Sequence, residues 1–241
     1  GYNKEGHTTL PLTLSNDRVT EICKALMPFQ QQESTNAYGI LRHNVYQEIP
    51  LLRQTIDDYN IGGLAAALLE VDEITLFQDN LIWKPTGTTQ SIAWHQDYSY
   101  WPLSHPRGVT FWIALDDTTV ENGCMRYVCG SHQWGECQPA NFIPHQHTRH
   151  LHHLPPLTVD TNIHRCHDVI LKAGQVVAHH PLLVHMSHPN LSRRHRRGWS
   201  LTWIDSSVRW DPEHAPHPYP IFHPVKKGDT VEGNDFPRYK R

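Results

Sequence analysis

Residues 73–85 read EITLFQDNLIWKP, and apolar and polar side chains alternate along this stretch with a period of two. Such alternation is typical of a β-strand with one buried face. Four later runs are similarly rich in β-branched and aromatic residues: VTFWIALDD (109–117), QVVAHHP (175–181), LLVHMS (182–187) and RGWSLTWIDS (197–206). Glycine, proline and asparagine separate these runs, so the chain from about residue 73 to 205 is predicted to be mainly β-sheet.

The part of the chain before this stretch is predicted to be mostly helical, over about residues 15–70. Ser15 can cap a helix, and apolar residues follow it at positions 19, 22, 23 and 26, the spacing of one helix face. Pro50 suits the first turn of another helix. Apolar residues at positions 61–69 repeat the helical period, which predicts a third helix.

Helices followed by many short strands, without regular alternation of the two, predict an α+β fold that is mainly β, with an antiparallel sandwich or barrel. No internal repeat or long linker divides the chain, so we expect one domain over residues 1–241. The proline-rich tail beyond Trp210 shows no period and is expected to be irregular. The histidine-rich stretch HQHTRHLHH (145–153) is expected to be a polar surface loop.

Composition excludes several classes of protein. Lys and Arg number 21 against 24 Asp and Glu, and this net charge of −3 argues against nucleic acid or a membrane surface as a partner. No apolar run approaches the roughly 18 residues that cross a bilayer. Five cysteines without a CxxC pair favour a reduced, cytoplasmic protein. We expect a small-molecule substrate and a monomer or homodimer.

The stretch SIAWHQDYSYWP (91–102) carries a candidate metal site. If residues 92–97 form a strand, its period of two places His95 and Asp97 on one face and Gln96 on the other. An imidazole and a carboxylate then converge on one point. The motif alone is weak in a chain with 20 histidines, so it needs a third ligand.

The third ligand is sought in HPLLVHMSHPNLSRRHRRGWSLTWI (180–204), where His185 and Ser187 share a strand face. On the following strand, Arg196 shares a face with Ser200 and Thr202. The opposite face carries bulky apolar residues at positions 199, 201 and 203, as expected where a sheet packs against helices. Neighbouring residues offer rival assignments, namely His179, His180 and His188 for the metal and Arg193, Arg194 and Arg197 for the cation.

Two imidazoles and one carboxylate suit Fe(II), because they leave open positions for a co-substrate and O2, whereas zinc favours a closed tetrahedron. Arg196 lies eleven residues after His185. Its planar cation can hold the far carboxylate of 2-oxoglutarate through paired, charge-assisted hydrogen bonds. We therefore expect Fe(II), 2-oxoglutarate and O2 as cofactor and co-substrates.

The motifs HQD (95–97), ENGCMRYVCGSH (121–132) and HMSHPNLSRRHRR (185–197) resemble the phytanoyl-CoA dioxygenase family of iron- and 2-oxoglutarate-dependent oxygenases. The resemblance runs from about residue 77 to 204, with a fainter echo at 226–237. It implies a double-stranded β-helix (jelly-roll, cupin-like) core flanked by N-terminal helices. It also implies site roles: iron ligands His95, Asp97 and His185; co-substrate carboxylate contacts Arg196 and Ser187; and Lys84, Gln96 and Trp112 near the co-substrate or a metal-bound water.

Reasoning from the residues leaves alternatives open for several of these side chains. Lys84 could reach a cavity from its strand face or lie at a solvated strand end, and Trp112 could contact a ligand or pack in the core. The aromatic residues that follow Asp97 could contact substrate or only shield the metal from water; they are Tyr98, Tyr100 and Trp101.

The predicted activity is hydroxylation, or another oxidation, of an unactivated C–H bond of a small organic molecule, with release of succinate and CO2. Asp97 argues against halogenation, because related halogenases lack this carboxylate. The alternative is a cupin-like isomerase or hydrolase that uses the same three ligands for Zn or Mn. That alternative leaves Arg196 and Ser187 without a function.

Overall fold

The structure is a computed structural model that describes residues 1–31, 39–140, 153–215 and 225–241. Its α-helices are α1 (Tyr2–Glu5), α2 (Asn16–Leu26), α3 (Val45–Glu48), α4 (Pro50–Asp58) and α5 (Ile61–Leu68). Short 3-10 helices cover Met27–Gln31, Tyr98–Tyr100 and Ser131–Trp134. No helix among the described residues has the length and apolar character needed to cross a bilayer.

The strands are β1 (His7–Thr13), β2 (Ile40–His43), β3 (Glu73–Lys84), β4 (Ile92–His95), β5 (Gly108–Ala114), β6 (Met125–Val128), β7 (Cys166–Asp168), β8 (Gln175–His179), β9 (His185–Ser187), β10 (Arg196–Asp205) and β11 (Arg238–Lys240). The larger sheet has the order β1-β8-β5-β10-β3-β11, and β2 also pairs with β3. The smaller sheet has the order β4-β9-β6-β7. All the strand pairs are antiparallel, and the fold is the predicted double-stranded β-helix, cupin-like in its architecture.

Strand β10 separates the apolar core from the interior between the two sheets. Trp199, Leu201 and Trp203 are fully buried in the cluster that includes the apolar face of α2. Arg196, Ser200 and Thr202 alternate with them and line a cavity on the other side of the sheet. This division between the two faces confirms the arrangement that the sequence predicts for this strand.

The helices begin where their sequence signals predict. The Ser15 side chain accepts a hydrogen bond from the backbone N–H of Arg18 at 3.2 Å, which caps α2. Pro50 occupies the first turn of α4. Both helices bury one face, α2 through Val19 and Ile22, in an apolar cluster that also contains residues of the larger sheet.

The N-terminal region and the tail hold strands that the sequence analysis did not predict. Strand β1 pairs with β8, and β2 pairs with β3, so the first third of the chain is not purely helical. Strand β11 pairs with β3 and gives the tail a regular element. All three are short or lie at sheet edges, where one-sided burial leaves a weak hydrophobic pattern. Most of the histidine-rich stretch, through residue 152, lies outside the described residues.

Candidate metal and co-substrate site

Three side chains converge at the mouth of the interior between the two sheets. His95 ends β4 and His185 begins β9, and the two residues are direct partners across this antiparallel pair. Their ring centroids lie 4.1 Å apart. Asp97 Oδ1 lies 3.6 Å from His95 Nε2 and 3.5 Å from His185 Nε2. One donor atom from each residue lies within 4.8 Å of the others, which is close enough for a single metal ion.

A backbone carbonyl two residues earlier in the chain orients each imidazole. His95 Nδ1 lies 2.8 Å from the Ala93 carbonyl oxygen, and His185 Nδ1 lies 2.8 Å from the Leu183 carbonyl oxygen. A carbonyl oxygen only accepts, so each Nδ1 carries the proton and each Nε2 presents a lone pair toward Asp97. Burial, with help from His95, lowers the pKa of His185 to about 3 and keeps it in the neutral form that binds metal.

A turn, and not the predicted strand, places Asp97 beside the two histidines. Strand β4 ends at His95, and Asp97 has helical backbone angles at the start of the 3-10 helix Tyr98–Tyr100. Strand alternation therefore does not set the direction of Asp97.

The same cavity is also lined by buried polar atoms that have no hydrogen-bond partner among the described residues. Arg196 is 1% exposed, and its Nε and Nη2 atoms have no hydrogen-bond partner among the described residues. The same is true of Ser187 Oγ and Trp112 Nε1. All three residues line the same cavity as the His–Asp–His cluster, and the Arg196 guanidinium lies 5.5 Å from the Trp112 ring centroid. Unpaired buried donors are costly, so the surroundings of Arg196 suit a bound anion.

A tight contact on β10 positions the indole of Trp112. A Cβ atom at Gly198 would lie 2.0 Å from Trp112 Cζ2, so only glycine leaves room for the ring there. Trp112 lies on β5, where it is the direct partner of Ser200 on β10. The missing side chain of Gly198 therefore lets the indole lie against the sheet beside Arg196.

The structure does not bring Lys84 or Gln96 to the cavity wall. Lys84 is fully buried, but its Nζ atom donates to the backbone oxygens of His188 at 2.5 Å and Gln90 at 3.5 Å. Burial, together with the charge of Arg196, lowers the pKa of Lys84 to about 7. The long lysine side chain can bend to these carbonyls, which strand alternation does not reveal.

The Gln96 side chain forms hydrogen bonds with backbone groups and does not line the cavity. Its Nε2 donates to the carbonyl oxygens of Gly135 at 2.9 Å and Leu182 at 2.8 Å, and its Oε1 accepts from the Cys137 N–H at 2.8 Å. The expected contact of Gln96 with the co-substrate is therefore absent from this geometry, because both ends of its amide are already satisfied.

The three aromatic residues after Asp97 divide into two groups. Tyr100 and Trp101 line the cavity, and the Tyr100 hydroxyl donates to the Ala140 carbonyl at 2.7 Å. Tyr98 does not line it, since its hydroxyl donates to the Leu103 carbonyl at 2.9 Å and its ring stacks on His214 at 4.3 Å. The turn that repositions Asp97 also sends Tyr98 into the neighbouring apolar cluster.

Most of the rival ligands and cations have other partners. His180 Nδ1 accepts from the Leu182 N–H at 3.0 Å, and His188 Nε2 lies 2.9 Å from Asp168. Arg197 is paired with Asp116 at 2.7 Å on the opposite face of β10 from Arg196, and Arg193 and Arg194 are exposed. His179 is different, since it lines the cavity and contacts Asp97.

The cavity wall includes further residues that the sequence did not predict to bind metal or co-substrate. Gln78 and Asn80 on β3 face the interior, and so does Thr110 on β5. Leu41 and His43 come from β2, which the sequence analysis missed, and burial lowers the pKa of His43. The alternation of β3 was visible in the sequence, but the partner strand β2 had no signal of its own.

The relatives of this chain include plant and bacterial enzymes. An Arabidopsis thaliana phytanoyl-CoA dioxygenase is 29% identical over 182 residues, which is 75% of this chain and 61% of that protein. The L-proline trans-4-hydroxylase of Streptomyces griseoviridis is 25% identical over 240 residues, which is 90% of this chain and 88% of that protein. The chain therefore spans only about three fifths of the plant relative's length.

Solved structures share the fold. The non-heme α-ketoglutarate-dependent carbocyclase SnoK from nogalamycin biosynthesis aligns with a TM-score of 0.77 and 25% identity, covering 98% of this chain and 93% of that chain. The epimerase SnoN, solved with Fe3+, α-ketoglutarate and a nogalamycin compound, aligns with a TM-score of 0.79 and 23% identity over 98% of this chain and 95% of that chain.

The family model for phytanoyl-CoA dioxygenase (PhyH) matches residues 2–198. The match takes in both strands that carry the candidate histidine ligands, the turn that carries Asp97, and the Arg196 position. This chain belongs to the phytanoyl-CoA dioxygenase family.

Proposed function

We propose that this protein is an Fe(II)- and 2-oxoglutarate-dependent dioxygenase that hydroxylates, or otherwise oxidises, an unactivated C–H bond of a small organic molecule. The observation that carries the proposal is the combination of a His–Asp–His cluster with a buried, unpaired Arg196 in one cavity. An isomerase or hydrolase built on the same three ligands would leave that guanidinium without a counterion.

The residues fit the cofactor and the co-substrate. His95, Asp97 and His185 offer two neutral nitrogens and one carboxylate, which is the donor set that Fe(II) oxygenases use with open positions for other ligands. Arg196 and Ser187 would hold the far carboxylate of 2-oxoglutarate through their unpaired donors. Bound iron and 2-oxoglutarate would supply the oxidising chemistry, which consumes O2 and releases succinate and CO2.

The protein contributes orientation and exclusion of water. Each histidine is held by a carbonyl behind it, so the ligand nitrogens are fixed before any metal arrives. The rings of Tyr100, Trp101 and Trp112 cover parts of the cavity wall and limit the access of water to the reacting carbon.

We propose that the substrate is uncharged where it enters the cavity. Apart from Asp97, Arg196 and the imidazoles, the described lining residues supply amides, hydroxyls, aromatic rings and apolar groups, including Gln78, Asn80 and Thr202. A charged substrate group would be desolvated there without a counterion. This composition favours a hydrogen-bonding, oxygen-bearing small molecule.

We also propose a reducing compartment such as the cytoplasm, because all five cysteines are free.

Spectroscopy without substrate tests the proposal. Anaerobic addition of Fe(II) and then 2-oxoglutarate to the protein is expected to produce a weak visible charge-transfer band, because the keto acid must chelate iron at two open positions. An isomerase or hydrolase would give no such band. Absence of the band at saturating iron and 2-oxoglutarate would contradict the proposal.

Two matched variants test whether Arg196 binds the co-substrate. Arg196→Met is expected to weaken 2-oxoglutarate binding by about tenfold to a hundredfold, because each charge-assisted bond contributes roughly 1.5–3 kcal/mol. Arg197→Met is the control, because Arg197 is paired with Asp116 on the other face of the same strand. Equal effects of the two substitutions on co-substrate affinity would remove Arg196 from its proposed role.

A further inference from the structure

His179 contacts the carboxylate oxygen of Asp97 that does not face His95 and His185. Oδ1 of Asp97 faces the Nε2 atoms of His95 and His185, whereas Oδ2 lies 3.3 Å from His179 Nε2. His179 ends β8 in the larger sheet, is 2% exposed and lines the cavity. The two oxygens of one carboxylate therefore face different partners.

Tyr127 lies behind His179. Its hydroxyl is 3.0 Å from His179 Nδ1, and the side chain is fully buried on β6 of the smaller sheet. The contact thus links one sheet to the other. Among the described residues, His179 Nδ1 is the hydrogen-bond partner of the Tyr127 hydroxyl.

These two contacts fix the tautomer of His179. If Nδ1 carried the proton, the Tyr127 hydroxyl hydrogen would have no acceptor among the described residues, and Nε2 would have no proton to donate to Asp97 Oδ2. Both problems disappear when Tyr127 donates to Nδ1 and Nε2–H donates to Asp97 Oδ2. In that tautomer Nε2 has no lone pair, so His179 is not a metal ligand.

We propose that Tyr127 and His179 are positioning residues, forming a hydrogen-bonded chain that turns Asp97 so that only Oδ1 is offered to the metal. The inference rests on the proposed metal site. Without the chain, Asp97 could rotate or bind through both oxygens, and a second bound oxygen would occupy a position that 2-oxoglutarate or O2 needs. Hydrogen bonds of this kind to a metal ligand commonly change metal affinity or activity by about 10- to 100-fold when removed.

The test measures binding of Co(II) in the absence of 2-oxoglutarate, together with thermal unfolding of the metal-free protein. His179→Leu is expected to weaken Co(II) binding by about tenfold or more. His179→Gln is expected to recover part of this loss, because its amide N–H can donate to Asp97 Oδ2. His180→Leu is the control, since His180 contacts the Leu182 backbone and does not line the cavity.

A double-mutant cycle separates the hydrogen-bonded chain from simple packing. Tyr127→Phe is expected to weaken Co(II) binding in the wild-type background and to have no further effect in His179→Leu. The visible absorption of bound Co(II), which reports its coordination number, is expected to change in both single variants. Additive losses from the two substitutions, or wild-type affinity and spectrum in His179→Leu, would overturn the proposal.

The outcomes also distinguish this inference from the proposed function. If the wild-type protein binds neither Co(II) nor 2-oxoglutarate, the metal site itself is wrong. If it binds both and the His179 and Tyr127 variants behave as the wild type does, only the positioning role is wrong. His179→Gln and Tyr127→Phe keep the shape of the site, so they remain informative if His179→Leu does not fold.

Discussion

Arg196 and Lys84 are direct partners across the β10–β3 pair, and both are almost completely buried. Among the described residues neither forms a salt bridge with a carboxylate. Lys84 donates to carbonyl oxygens, while two nitrogens of Arg196 have no partner. Two neighbouring buried cations are costly, which explains why the pKa of Lys84 falls and why an anion is expected beside Arg196.

The lowered pKa of Lys84, about 7, predicts a pH-dependent contribution to stability. Below pH 7 the amine is charged in both the folded and the unfolded chain, so the full cost of burying a charge is present. Between pH 7 and the ordinary lysine pKa of about 10.4, the unfolded chain binds more protons and this cost disappears as the pH rises.

The free energy of unfolding of the wild type, relative to Lys84→Met, is therefore expected to increase from pH 7 to pH 9, as measured by urea titration. Lys172→Met is the control, because Lys172 is exposed and paired with Asp117 at the surface. Parallel pH profiles for the wild type and Lys84→Met would contradict the prediction.

Ser187→Ala separates ligand affinity from stability. Ser187 Oγ is buried and unpaired among the described residues, so its removal is expected to leave the free energy of unfolding unchanged or slightly raised. Binding of 2-oxoglutarate is expected to weaken by about two- to tenfold, the equivalent of one hydrogen bond of roughly 0.5–1.5 kcal/mol.

Ser131→Ala should behave in the opposite way. The buried Ser131 hydroxyl accepts from the Val184 N–H at 2.8 Å, so its loss leaves a buried donor unpaired and is expected to cost about 1–3 kcal/mol. Equal destabilisation by the two serine substitutions would show that Ser187 has a structural partner after all.

Gly198→Ala is expected to displace Trp112. The new methyl group would overlap the indole, so the substitution should destabilise the protein by about 1–3 kcal/mol and weaken 2-oxoglutarate binding. Trp112→Phe removes the overlapping atoms and should recover stability when combined with Gly198→Ala. Additive destabilisation in the double variant would contradict this steric explanation.

Asp97→Ala is expected to abolish metal binding, measured by calorimetry, because the cluster loses its charged ligand. Asp168→Ala is the matched control. Asp168 belongs to another group of possible donors, with Cys124 and His188, but it is already paired with His188 at 2.9 Å and lies 3.7 Å from Arg126. Loss of metal binding in Asp168→Ala alone would place the metal in that second group.

Sequence patterns predicted the features that depend on regular alternation. The faces of β10 followed directly from its period of two, which placed Arg196 in the cavity and Trp199 in the core. Asp97 lies beside His95 as the sequence predicts, but a turn rather than a strand places it there. The iron-ligand roles themselves remain predictions.

Tertiary structure decides the features that the sequence did not reveal. Gln96 and Lys84 satisfy backbone groups far away in the chain, and no local pattern identifies such partners. His179 was recognised as a nearby imidazole, but its role depends on Tyr127, which lies on the other sheet. Short edge strands such as β2 form because β3 offers a free edge, not because their own residues require it.

The amide of Gln96 joins two separate parts of the backbone, residues 135–137 and Leu182, and it lies in sequence between two of the candidate ligands. A single side chain thus links both segments to the part of the chain that carries His95 and Asp97. Substitutions at positions 135–137, some forty residues away in sequence, are consequently expected to shift the candidate ligands His95 and Asp97.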